Sequence, residues 1–190
     1  GTKRKVIPWV GNEYSRVLEN KNRLLTTYDG ATGGKTGFTS KAGRCLVFSA
    51  ERDGLSLIGV VLNCPTWFDT AETMLDYGFE NYRAETALLP GQSAGAVRVS
   101  GGKEASIPVE AGGALTSAVA MGSSFTVRYE YRDNLSAPIR KGDVVGEARM
   151  ICGGETLSSC PLLAAADIDE WNFAAALKSV LRNWLLSLGG

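Results

Sequence analysis

Histidine is absent from these 190 residues. That removes every Ser-His-Asp and Cys-His arrangement, His-ligated zinc and the usual proton shuttle of neutral pH. Any proton transfer must fall to Lys, Ser, Thr, Tyr or a carboxylate. The four cysteines, Cys45, Cys64, Cys152 and Cys160, include no C-x-x-C pair, so a metal site or dithiol redox centre is disfavoured and no cofactor is implied. Net charge is lacking too: Lys+Arg 20 balances Asp+Glu 20, with no basic block to compensate locally, so nucleic acid is not an expected partner. No apolar run of signal-peptide length follows the opening Gly-Thr-Lys-Arg-Lys. What remains is 44% hydrophobic and 21% charged residues, the texture of a soluble chain with one domain or two small ones.

From Lys3 to Gly34 the sequence is polar and rich in Pro, Gly, Asn and Asp, and it reads as irregular connecting structure. A loop of that length without its own core is unusual, which suggests packing against residues N-terminal to Gly1. Two apolar, β-branched runs then flank Asp53-Gly54, namely Arg44–Ala50 and Leu55–Leu62. Asp-Gly suits a tight turn whose two central residues need positive φ, so an antiparallel hairpin is expected. Both runs are nearly continuous in apolar residues, which fits a sheet covered on both faces. Phe68, Ala71, Met74, Leu75 and Phe79 fall at helical spacing, with Thr66 or Asp69 able to cap the start and Gly78 near the end. An amphipathic helix should pack on the hairpin.

Beyond about Leu89-Pro90-Gly91 short alternating segments are separated by turn residues: Ala94–Val99, Ser106–Val109, Ser124–Tyr131 and Val144–Ile151. Their spacing predicts a small all-β sandwich. In its last hairpin a turn at Gly153-Gly154 would set Cys152 opposite Glu155 and Cys160 near Glu147. The Asp53-Gly54 register likewise sets Cys45 opposite Leu62, so four free, buried thiols are expected. From Asp167 the period becomes helical again, with Phe173, Leu177, Val180, Leu181, Trp184 and Leu188 on one side. This stretch is too short and polar to span a bilayer; residues 168–190 either lie in a membrane interface or pack on a neighbour. The fold class is therefore α+β, divided into residues 1–87, a β-sandwich over 88–166 and an amphipathic helix over 167–190.

The distinctive local run is Thr32-Gly33-Gly34-Lys35-Thr36-Gly37-Phe38-Thr39. A lysine on a sheet edge supplies a fixed positive charge for a substrate carboxylate, Thr36 adds a hydroxyl donor, and Gly37 leaves room for a ligand along the strand. Asn22-Arg23-Leu24-Leu25, Tyr28 through Thr39, Lys41 through Val47, and Leu75-Asp76-Tyr77-Gly78-Phe79 together resemble the second half of a D-alanyl-D-alanine carboxypeptidase, a low-molecular-mass penicillin-binding protein. The resemblance is specific over most of residues 20–80 and architectural beyond them. It implies part of a penicillin-binding transpeptidase-like domain, a following β-sandwich and a C-terminal anchor helix.

The resemblance further implies a serine in S-x-x-K attacking the terminal D-Ala-D-Ala bond of a peptidoglycan stem peptide, or a β-lactam antibiotic, outside the cytoplasmic membrane at the membrane or wall. Carried over, Lys35, Thr36, Gly37 and Thr39 would bind substrate, with Lys35 and Thr36 on its carboxylate. The Phe38 backbone N–H would be an oxyanion donor, where charge develops in the transition state. Two departures stand out. The single S-x-x-K is Ser100-Gly101-Gly102-Lys103, whose glycines cannot build the required helical turn, and S-x-N does not occur. The nucleophile is therefore expected in an N-terminal half that precedes Gly1. The second departure is Asn63 to Thr70, where some family members carry a carboxylate-binding arginine and this chain has none. Two other readings are a non-catalytic relative serving as a wall-binding or interaction module, and a β-lactamase, which leaves the downstream β domain unexplained.

Overall fold

The computed structural model describes residues 1–8, 10–11, 13–171 and 177. Its elements are mostly strands, with two helices. In chain order they are β1 (Arg4–Pro8), β2 (Ser15–Glu19), α1 (Leu24–Thr27), β3 (Ala31–Thr39), β4 (Gly43–Arg52), β5 (Leu55–Val61), α2 (Trp67–Asn81), β6 (Tyr82–Leu88), β7 (Ser93–Arg98), β8 (Ser106–Ala111), β9 (Leu115–Ala120), β10 (Thr126–Tyr131), β11 (Val144–Cys152) and β12 (Glu155–Ala164). They divide into two compact units, Gly1–Ala84 with Ala118–Ser123, and Glu85–Ser117 with the chain from Ser124 onward.

The first unit is built on an antiparallel sheet of order β3-β4-β5. Asp53 and Gly54 both take positive φ, 49° and 77°, as the tight turn requires. Burial alternates along β4, so Leu46, Phe48 and Ala50 join Val61 beneath Ala71 and Leu75 of α2. The helix starts after Thr66, whose side chain makes no capping bond. Small residues set how closely side chains pack within the sheet and between helix and sheet. A Cβ on Gly59 would lie 2.2 Å from the Phe48 ring, and one on Gly78 would lie 2.4 Å from Leu57.

Three expectations are corrected here. Among the described residues the sheet is covered on one face: α2 packs there, while Val47, Ile58 (79% exposed) and Val60 (51% exposed) stand on the other. The near-continuous apolar runs reflect two apolar faces, of which the described residues cover one. Second, Lys3 to Gly34 is not irregular throughout, because β1 and β2 form an antiparallel ladder from Arg4↔Glu19 to Pro8↔Ser15 and α1 follows. Every residue of β1 and β2 is exposed, so no buried-face pattern marks them. Third, Cys45, Cys64 and Cys152 are only partly buried; all four cysteines are free thiols, and Cys160 alone is buried.

The second unit holds a five-stranded antiparallel sheet of order β10-β11-β12-β8-β7. Val109, Val145, Ala148, Met150 and Leu162 are buried within the unit. Cys152 pairs with Glu155 as expected, and Cys160 falls opposite Ala148, one place from Glu147. The Tyr131 hydroxyl donates to the Ala94 carbonyl at 2.6 Å. Ile168 forms an antiparallel bridge with Ile139, and the Trp171 N–H donates to Gly101 O at 2.8 Å. Residues 167–171 are therefore not helical, as the periodicity had suggested: Ile168 is buried, and Asp169 is held by Arg140 at 2.9 Å and Lys103 at 3.2 Å. Beyond Trp171 the expected helix lies, save for Leu177, outside the described residues. Among the described residues no helix is long and apolar enough to cross a membrane.

Candidate active site

Among the described residues β3 is an edge strand, paired with β4 on one side. Its register sets Lys35 opposite Val47 and Thr36 opposite Leu46, so the two side chains leave opposite faces of the strand. Gly37 lies opposite Cys45, and a Cβ there would come no closer than 4.0 Å to any neighbour. Nothing among the described residues demands glycine at that position.

Lys35 and Thr36 line an open groove of about 470 Å³ with Lys5, Lys21, Leu18 and Glu19 among its walls. Three ammonium groups against one carboxylate make the groove electropositive. The Lys35 Nζ folds back onto the Thr36 carbonyl. Phe38 is exposed, and the Thr39 hydroxyl accepts the Ala42 N–H at 2.9 Å, so its oxygen braces the β3–β4 turn. The K-T-G residues and Phe38 thus stand together on one extended strand, with Thr39 at its end.

The approach to β3 is fixed by contacts that sequence reading missed. Asn22 is the buried polar residue among those described. Its Nδ2 donates to Gly33 O at 3.2 Å, and its Oδ1 accepts the Leu24 N–H at 3.2 Å. A polar residue inside a polar stretch carries no pattern that announces burial. The Tyr28 hydroxyl donates to Asp76 at 2.7 Å. The Arg52 guanidinium lies over the rings of Tyr28 and Phe79, 4.5 and 4.7 Å from their centres, and donates twice to Asp29 O. These bonds tie the segment before β3 to β4 and α2.

Although Asn63 to Thr70 contains no arginine, two reach it from elsewhere. Arg44, opposite Phe38, donates to Pro65 O at 2.9 Å and lies over the Trp67 ring. Arg23 pairs with Asp69 at 3.2 Å. In the same segment hydroxyls of Thr70 and Thr66 beside the Cys64 thiol draw its pKa below the ordinary thiol value. In the second unit, the Ser100 hydroxyl donates to Leu135 O at 3.0 Å and Lys103 pairs with Asp169, so that S-x-x-K directs its two side chains to separate partners.

Residues 2–66 match the family model described as D-alanyl-D-alanine carboxypeptidase. Residues 82–170 match the one described as the C-terminal domain of penicillin-binding protein 5. The chain is a relative of the D-alanyl-D-alanine carboxypeptidases. It is 31% identical over 173 residues to the carboxypeptidase DacF of Bacillus subtilis, an alignment covering 88% of this chain and 44% of that protein. With DacC of Escherichia coli it shares 31% identity over 161 residues, covering 81% and 40%. Penicillin-binding protein 5 from Haemophilus influenzae superposes with a TM-score of 0.71 at 29% identity, covering 89% of this chain and 50% of that structure. The chain thus spans less than half the length of these two curated carboxypeptidases.

Proposed function

We propose that the protein carrying this chain is a serine-type D-Ala-D-Ala carboxypeptidase that removes the terminal D-alanine of peptidoglycan stem peptides and is acylated by β-lactams. The chain supplies the K-T-G half of the site. The observation that carries this reading is the placing of Lys35 and Thr36 side by side on an edge strand that lines an electropositive groove. A peptide aligned along that edge presents its C-terminal carboxylate to the Lys35 ammonium and the Thr36 hydroxyl. Gly37 leaves its backbone open to the ligand, and the Phe38 N–H meets the oxyanion as charge develops on the scissile carbonyl. Thr39 adds to substrate binding at the end of the strand.

The attacking serine and its lysine belong to an N-terminal half of the same domain. The uncovered apolar face at Val47, Ile58 and Val60 supports that reading, because such a face packs against more protein. The separate engagements of Ser100 and Lys103 support the view that this chain alone has no nucleophile. The enzyme acts outside the cytoplasmic membrane, at the membrane or in the wall.

The test is release of D-alanine from a synthetic stem pentapeptide by the full-length protein, with mass spectrometry locating the acyl-serine formed by penicillin. Release together with a labelled serine preceding Gly1 is expected. A full-length protein that releases no D-alanine and takes up no penicillin would instead be a wall-binding module.

A further inference from the structure

We propose that Asn22 is a positioning residue for carboxylate recognition, setting where the Lys35 ammonium stands; this rests on the role given to Lys35 above. β3 does not run evenly into the K-T-G tripeptide. Its register against β4 shifts between Ala31 and Gly33, and Gly34 takes a φ of 135°. A Cβ at Gly34 would lie 2.2 Å from Val47 O and 3.0 Å from Asn22 Nδ2, so backbone and amide close on the same point from two sides. The strand enters Lys35 out of this irregularity, and its exit direction depends on how the Gly33 peptide is held.

Asn22 holds it. The Nδ2 donates to the Gly33 carbonyl while the Oδ1 accepts the Leu24 N–H, and the Asn22 N–H itself donates to Asn20 Oδ1 at 2.9 Å. The side chain is 1% exposed, so both ends of its amide are committed to backbone and shielded from water. An amide in this place does two things that no apolar residue could do: it satisfies the start of α1 and fixes the peptide two residues before the carboxylate-binding lysine. Displacements well under 1 Å at a charged contact change binding steeply, which makes such an anchor effective.

The experiment uses the full-length protein, with benzylpenicillin and its methyl ester as probes that differ only in the carboxylate. The second-order acylation rate is measured with each, and the readout is the acid-to-ester rate ratio. Any unfolded fraction lowers both rates alike and cancels. Asn22→Ser keeps an oxygen for the Leu24 N–H but is too short to reach Gly33. It should lower the ratio about tenfold, the size of weakening one charge-assisted hydrogen bond, while the ester rate stays within about twofold. Asn22→Asp, which keeps the length and loses the donor, should lower the ratio in the same direction. A ratio unchanged in both variants overturns the proposal. Lys35→Ala provides the separate check: it should bring the ratio close to one, and if it leaves the wild-type ratio intact, the carboxylate role of Lys35 fails irrespective of Asn22.

Discussion

Tyr28 shows how one side chain makes stability depend on pH. Burial, and then its hydrogen bond to Asp76, push the phenol from 10.0 up to about 12. An unfolded tyrosine loses its proton near pH 10, so between pH 10 and 12 the folded state binds more protons than the unfolded one. Stability therefore falls as pH rises through that window, and below pH 10 the contribution is complete. Urea denaturation of wild type and Tyr28→Phe at pH 9 and 11.5 should show the wild type losing more stability between the two. Equal losses would mean that the Tyr28–Asp76 bond is not held in solution. Tyr28 stood in the sequence as one residue of a recognisable stretch. Its partner Asp76 lies 48 positions away, which no local pattern joins.

Among the elements, legibility followed the presence of a one-sided burial pattern. β4, β5 and α2 were readable because Asp53-Gly54 fixes a turn and Phe68, Ala71 and Leu75 repeat at helical spacing. β1 and β2 were not, since none of their residues is buried. β6 also escaped notice, as Tyr-Arg-Ala-Glu-Thr-Ala-Leu has few β-branched residues and follows a helix without a break. Within the site the K-T-G strand was legible because three adjacent residues carry it, whereas the buried amide of Asn22 was hidden among polar neighbours. The packing of α2 on the sheet gives a test of its own. Gly59→Ala drives a methyl into the Phe48 ring and should destabilise the chain by about 1–3 kcal/mol in a denaturant titration. A variant as stable as the parent would show that the Phe48 ring beneath α2 does not lie over Gly59.

For the molecule as a whole, the open question posed by the fold is what lies on the apolar face opposite α2. Ile58 is exposed in this chain, so Ile58→Glu in the isolated 190 residues should change stability by no more than about 0.5 kcal/mol. In the full-length protein the same change would bury a carboxylate under the N-terminal half and should cost at least about 2 kcal/mol. Equal effects in the two backgrounds would leave that face without a covering half-domain. The central claim is that one strand edge presents an ammonium to the acidic end of a cell-wall peptide, and the rate at which penicillin acylates the full-length protein tests it most directly. Lys35→Ala should slow that acylation by about tenfold to a hundredfold with the fold intact, as expected for losing one charge-assisted bond. Acylation by Lys35→Ala at the wild-type rate would contradict the account.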